Sequence, residues 1–221
     1  MRQTGFAYAQ TRMQARFATC PTRLDWQIIE TGRNLAQAIE AARRGVLSRC
    51  VTQLGRDSGR TAIESALRLG WVEMVDELVR WAPSKWRPAL MWMVLLPNLR
   101  VLAAGIPPSV PGAAALVDRV EAGAAPGEAW RQGWIARLPG RQPELHAALA
   151  PLTNRFLEGP PQPAVATETL HATLERLFRT RAQEPIAAFA WLGLIALEVE
   201  RLRGALLLAQ MFPGDDSVEV P

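Results

Sequence analysis

The 221-residue sequence has only two cysteines and two histidines, and this shortage argues against most metal and catalytic sites. Cys20 and Cys50 have no CxxC spacing and no neighbouring histidine, which speaks against a zinc site and against a disulfide framework. His146 and His171 have no acidic or cysteine neighbour at the spacing of a metal site or a catalytic triad. We therefore expect no metal, no cofactor and no enzyme activity.

Lysine is scarcer still, because Lys85 is the only one in the chain. No GxGxxG pattern and no Gly-Lys-Ser/Thr pattern occurs, so the known nucleotide-binding loops are missing from the sequence. Basic residues outnumber acidic ones by 25 to 21. Because this small excess is spread along the whole chain, we expect no nucleic-acid partner, and binding of DNA or RNA through arginines is kept as a third alternative.

Long apolar runs are missing as well. The longest uncharged apolar run covers residues 186–197, whereas a membrane-spanning helix needs about 18 or more such residues. Near the N-terminus, Arg12 and Arg16 occupy the positions where a secretory signal would have its apolar core. The sequence thus predicts a cytoplasmic protein, peripheral on the inner face of a membrane if it meets one at all, with contact made indirectly through a membrane complex.

Good helix formers are what the sequence has in abundance, since Ala, Leu, Arg and Glu dominate its periodic stretches. The fold class predicted is all-α, a multi-helix domain of packed helical hairpins. Apolar spacing, prolines and glycines predict helices over residues 8–18, 24–44, 46–54, 61–82, 84–96, 145–157, 167–179 and 185–212. A break is expected at Gly32 within the second of these ranges. A further short helix is predicted around Trp130 and Trp134. Thr61 and Glu64 have the spacing of a capping box at the start of one of them.

Prolines and glycines divide the predicted helices into three parts. Residues 1–104 form an N-terminal helical module that contains a Trp-rich hairpin. Residues 105–163 form a Pro/Gly-rich loop with short helices, from Pro107-Pro108 to the linker 159–163. Residues 164–221 supply C-terminal helices that are expected to pack back on the N-terminal module.

Four of the eight tryptophans fall within one predicted hairpin: Trp71, Trp81, Trp86 and Trp92. The simpler interpretation is that they form the core of this hairpin. As an alternative, Trp81 and Trp86, beside the turn at Pro83, anchor a partner protein, because aromatic and arginine side chains are enriched at binding hot spots.

The last predicted helix carries charges directly after its apolar run. Glu198 and Arg203 are too far apart for an i,i+4 pair, so each needs a partner elsewhere. Arg201 lies within i,i+3 of Glu198. Charges that follow so apolar a stretch are often satisfied by a neighbouring helix.

Segments at the two ends of the chain resemble the C/d family of stalk proteins in archaeal-type and V-type rotary ATPases. At the C-terminal end the resemblance lies in Ala190-Trp191-Leu192, in Glu198-Val199-Glu200-Arg201-Leu202-Arg203 and in the turn Pro213-Gly214. At the N-terminal end it lies in Tyr8-Ala9-Gln10-Thr11-Arg12-Met13-Gln14-Ala15-Arg16 and in Leu35-Ala36-Gln37-Ala38-Ile39. The family usually has Asn where this chain has Arg201, and its members are longer, with three similar helical modules.

The resemblance implies a non-catalytic central-stalk adaptor of a rotary ATPase, seated on the membrane rotor ring and holding the axle. Its partners would then be ring and axle subunits, and its role would be proton or ion transport. The residues that the resemblance marks for interaction are Tyr8, Arg12, Arg16, Glu198, Arg201 and Arg203. The alternative is a helical scaffold or assembly factor that binds a client protein through a Trp/Arg surface.

Overall fold

The computed structural model describes residues 6–32, 34–106, 108–158 and 164–212, and the regular elements in these ranges are all helical. The predicted all-α fold is confirmed. The turn expected at Pro213-Gly214 and the linker expected over residues 159–163 lie outside the described residues, as does Pro107.

The α-helices are α1 (Ala7–Phe17), α2 (Arg23–Glu30), α3 (Leu35–Ala42), α4 (Ser48–Val51), α5 (Arg60–Trp81), α6 (Arg87–Trp92), α7 (Leu99–Ala103), α8 (Ala114–Glu121), α9 (Pro126–Ile135), α10 (Pro143–Glu158), α11 (Ala164–Thr180) and α12 (Pro185–Met211). Three 3₁₀ turns, Gly45–Leu47, Ser84–Trp86 and Met93–Asn98, join some of them.

The break expected at Gly32 is confirmed, because two well-capped helices replace one long one. At the start of α2, the Thr22 hydroxyl accepts a hydrogen bond from the Asp25 amide at 3.2 Å. The Asp25 carboxylate in turn accepts one from the Thr22 amide at 2.8 Å, which completes a capping box. At the start of α3, the Asn34 side chain accepts a hydrogen bond from the Gln37 amide at 3.0 Å. Each helix therefore has its own N-terminal cap.

Two local predictions are wrong. The Ile63 amide already donates to the Gly59 carbonyl at 3.1 Å, so α5 begins before Thr61 and that residue cannot be its N-cap. The single helix expected over residues 84–96 is interrupted, because Met93–Asn98 is a 3₁₀ turn that contains Pro97, a residue without the amide that an α-helix requires. Residues 92–96 are nevertheless all buried.

The chain divides into two compact units, each built from two stretches. The first unit comprises Met1–Met13 and Met74–Ala196, and the second comprises Gln14–Glu73 and Leu197–Pro221. Each unit thus joins residues that are far apart in the sequence. The predicted three-part division stays a prediction.

Aromatic rings fill the interior of the first unit. Trp130 and Trp134, one turn apart on α9, stack with ring centroids 5.8 Å apart. Trp134 also meets Phe189 of α12 edge-on at 5.4 Å, and Trp86 lies edge-on to Phe189 at 6.2 Å and to Phe6 at 6.0 Å. These distances are typical of stabilising aromatic pairs. The packing role expected for the tryptophans is therefore observed for Trp86.

In the second unit, α4 and α5 approach closely at one glycine. A Cβ atom placed on Gly70 would lie 2.7 Å from the Cys50 sulfur and 2.8 Å from the Cys50 Cα. The Cys50 side chain is completely buried, and this burial, helped by the charge of Glu73, raises the pKa of its thiol to about 12. Cys50 is thus a packing residue with no thiolate at neutral pH.

We expect Gly70→Ala to destabilise the protein although alanine is the better helix former. Helix propensity alone favours alanine over glycine by about 1 kcal/mol, but the overlap with the Cys50 backbone should reverse the sign and cost about 1–3 kcal/mol. Gly204→Ala in α12 is the matched control, because a Cβ there meets no atom within 4 Å. Urea unfolding that showed both variants to be stabilised would contradict this account of the α4 and α5 contact.

The capping box of α2 should make stability depend on pH. Hydrogen bonds from the Thr22 hydroxyl and then from its amide hold the pKa of Asp25 below its ordinary value. A lowered pKa in the folded state gives stability that is present above about pH 4 and is lost as the pH falls further. The difference in melting temperature between wild type and Asp25→Asn should therefore shrink in acid. Asp57→Asn, at an almost wholly exposed carboxylate, is the control, and a constant difference down to about pH 2.5 would refute the idea.

Candidate interaction site

The charges that follow the apolar run of α12 are bound by other helices of the second unit. Glu198 is only 8% exposed, and its carboxylate accepts a hydrogen bond of 2.7 Å from the indole Nε1 of Trp26 in α2. The Trp26 side chain is itself buried. Burial of a carboxylate or of an indole N–H without a hydrogen-bond partner costs desolvation free energy. This one bond satisfies both groups.

Arg201 binds the same helix from the solvent side. Its Nε and Nη2 donate to the two carboxylate oxygens of Glu30 at 2.6 and 2.9 Å, a two-pronged geometry that fixes orientation. The guanidinium carbon lies 4.3 Å from the ring centroid of Trp26, within the range of a cation-π contact. Because the Arg201 and Glu30 side chains are 47% and 42% exposed, water screens the pair and its contribution to stability is modest.

Arg203 is tied to α5. Its Nε and Nη2 both donate to Glu64 Oε1, at 2.9 and 2.7 Å, and its Nη1 lies 3.6 Å from a carboxylate oxygen of Glu200. The hydrogen bonds to Glu64 raise the pKa of Arg203, although burial opposes them. The side chains of Arg203 and Glu64 are 30% and 28% exposed, so this pair is less screened than the one that Arg201 forms.

The sequence predicted that Glu198 and Arg203 would find partners on other helices, and the hydrogen bonds to Trp26 and Glu64 confirm it. For Arg201 the sequence spacing indicates only the local neighbour Glu198, whereas its side chain forms two hydrogen bonds with Glu30. The roles of Trp26 and Glu30 were missed. The available signal was their i,i+4 spacing on a short capped helix, which places an indole and a carboxylate next to each other.

The candidate residues of α1 lie near the surface. Tyr8 is 55% exposed, and its hydroxyl accepts a hydrogen bond from Arg12 Nε at 3.1 Å. The Arg12 guanidinium also lies 5.4 Å from the centre of the Tyr8 ring. Arg16, one turn further, is half-buried and has an interaction of its own. Tyr8 and Arg12 therefore form a pair, held within one helix, that a partner could contact.

The two tryptophans proposed as partner anchors differ. Trp86 is buried between Phe6 and Phe189, so its ring is not available to another protein. Trp81, at the end of α5, is half-buried. Of the two tryptophans that were proposed to anchor a partner protein, Trp81 alone is partly exposed to solvent.

Among the described residues, no group of three or more His, Cys, Asp or Glu side chains is placed so that it could hold a metal ion. His146 packs its ring 5.4 Å from that of Trp134, in keeping with a packing role. Within the same ranges, no helix has the length and apolar character needed to cross a membrane.

Comparison with known proteins returned no match. No protein-family model fits the sequence, and neither a curated protein nor a solved structure resembles it significantly. The resemblance to the rotary-ATPase stalk proteins therefore rests on the segments at the two ends of the chain.

We expect Arg203 to be a structural residue. Arg203→Ala leaves Glu64 partly buried without its partner and should destabilise the protein by about 1–3 kcal/mol. A double-mutant cycle between Arg203 and Glu64 should give a larger coupling than one between Arg201 and Glu30, for which we expect less than about 1 kcal/mol. Urea unfolding of the two sets of variants measures both couplings, and equal or inverted values would show that exposure does not govern these pairs.

Proposed function

We propose that this protein is a non-catalytic adaptor in the central stalk of a V-type (rotary) ATPase-like complex, where it couples the membrane rotor ring to the soluble part during proton or ion transport. One observation supports this most strongly. The C-terminal segment of the resemblance is bound, through Glu198 and Arg201, to α2. Two segments of the resemblance from opposite ends of the chain, Leu35–Ile39 and Glu198–Arg203, both belong to the second unit.

The way in which α12 is fastened also suits an adaptor. A subunit that transmits torque must resist deformation. Bidentate arginine–carboxylate pairs fix orientation as well as distance. In the second unit, α12 is fastened to α2 by Trp26 and Glu30, and to α5 by Glu64. In the proposed role, the partners are ring and axle subunits, the chain acts at the cytoplasmic face of the membrane, and ATP is bound by other subunits.

A helical scaffold or assembly factor is the second candidate. It is favoured by apolar side chains on the surface of the second unit, among them Leu24 at 65% exposure and Ile28 at 49%. Exposed apolar side chains on a capped helix suit binding to a client protein whether or not a rotary ATPase is involved. Neighbouring genes that include no ATPase component would favour this candidate.

Purification of the tagged full-length chain from membranes in mild detergent tests the proposal. We expect proteolipid ring subunits or axle subunits to co-purify and to be identified by mass spectrometry. Tyr8→Ala/Arg12→Ala should lower their recovery at unchanged circular dichroism, since these exposed residues carry part of the resemblance. Arg56→Ala, at an arginine whose side chain is 82% exposed, is the matched control. Recovery of neither of these two classes would rule out the central-stalk role.

A further inference from the structure

The inner face of α1 has a glutamine at a core position. Phe6, Ala9, Gln10 and Met13 have the i, i+3, i+4, i+7 spacing of one helix face, and all four are buried, at 5% exposure or less. The backbone amide of Gln10 donates to the carbonyl of Phe6 at 2.7 Å, which places the two residues one helical turn apart. A polar side chain thus lies where the pattern calls for an apolar one.

The side-chain amide of Gln10 has no hydrogen-bond partner. Its Oε1 and Nε2 are both buried, and neither is bonded to any group in the part of the chain that the structure describes. Thr153 and Glu198, the other polar or charged side chains buried in the same ranges, are bonded to Leu149 and Trp26. Burial of an amide without a partner costs free energy, which is recovered when the amide returns to water. Gln10 therefore opposes the packing of α1.

A few apolar contacts hold this part of α1 in place. Phe6 packs edge-on against Trp86, with ring centroids 6.0 Å apart, and this contact belongs to the first unit. On the outer side of the helix, the side chains of Tyr8, Thr11 and Arg12 form their hydrogen bonds within α1 itself among the described residues. The outer side chains thus tie α1 to no other element, and its attachment depends on the inner face.

We propose that the segment from Phe6 to Met13 is a lid that opens locally while the other helices of the first unit stay folded, and that its opening uncovers the ring of Trp86. Gln10 favours the open state because its amide regains hydrogen bonds in water. Once detached, so short a segment loses its helical hydrogen bonds, since an isolated helix of this length is unstable. This inference does not depend on the central-stalk role.

Hydrogen exchange of the full chain, measured by mass spectrometry of peptic fragments, tests the role of Gln10. In Gln10→Met the side chain stays unbranched and of similar length but needs no hydrogen bond. The backbone amides of residues 10–13 should then exchange at least about tenfold more slowly. Gln14→Met is the matched control, because Gln14 is an exposed glutamine of the same helix, and it should change these rates by less than about twofold.

Urea tests whether the opening is local, and this measurement uses the wild-type chain. The effect of denaturant on an opening grows with the surface that the opening exposes. About 1 M urea should therefore raise the exchange rates of α9, which lies in the same unit, at least about fivefold. The rates of residues 10–13 should rise less than about twofold.

Two results would overturn the proposal. Unchanged or faster exchange of residues 10–13 in Gln10→Met would show that the buried amide is satisfied, as by an internal water molecule, and does not promote opening. An equal urea dependence of α1 and α9 would show that α1 opens only together with the rest of the first unit.

Discussion

The hydrogen bond between the Trp26 indole and the Glu198 carboxylate is the contact on which the second unit depends. A carboxylate in so apolar a setting would be costly without a donor, and the indole supplies one. The same ring then supports the guanidinium of Arg201, which in turn binds Glu30. One aromatic side chain thus organises two charged residues of α12 and places the ion pair at the edge of the buried region.

Arg203 and Glu64 extend this arrangement to α5. The three contacts differ in exposure, from the buried Glu198 through Arg203 to the half-exposed Arg201. Because water weakens charge pairs progressively, the inner contacts contribute more to stability and the outer one more to orientation. The charged motif of α12 therefore acts mainly inside the protein, where its side chains join α12 to α2 and α5.

The sequence was sufficient for most of the helices and for the break at Gly32, because local spacing, caps and prolines determine them. It did not predict the interruption at Met93–Asn98 or the start of α5 before Thr61. It also indicated that Glu198 and Arg203 need partners, which follows from placing charges beside an apolar run. It could not identify Trp26 or Glu64, since 172 residues separate Trp26 from Glu198 and 139 separate Glu64 from Arg203, and no local pattern joins them. Apolar periodicity marks one face of a helix without saying whether the same chain covers it, and Leu24 and Ile28 are exposed.

The close approach of Gly70 and Cys50 makes Cys50 a probe of local opening in the second unit. A thiol that is buried, with a pKa of about 12, reacts with an alkylating reagent only when α4 and α5 separate. In a Cys20→Ser background, the labelling rate of Cys50 would then measure the free energy with which this part of the second unit opens. Gly70 allows α4 and α5 to touch, and the separation of these two helices can therefore be followed by alkylation of the Cys50 sulfur atom.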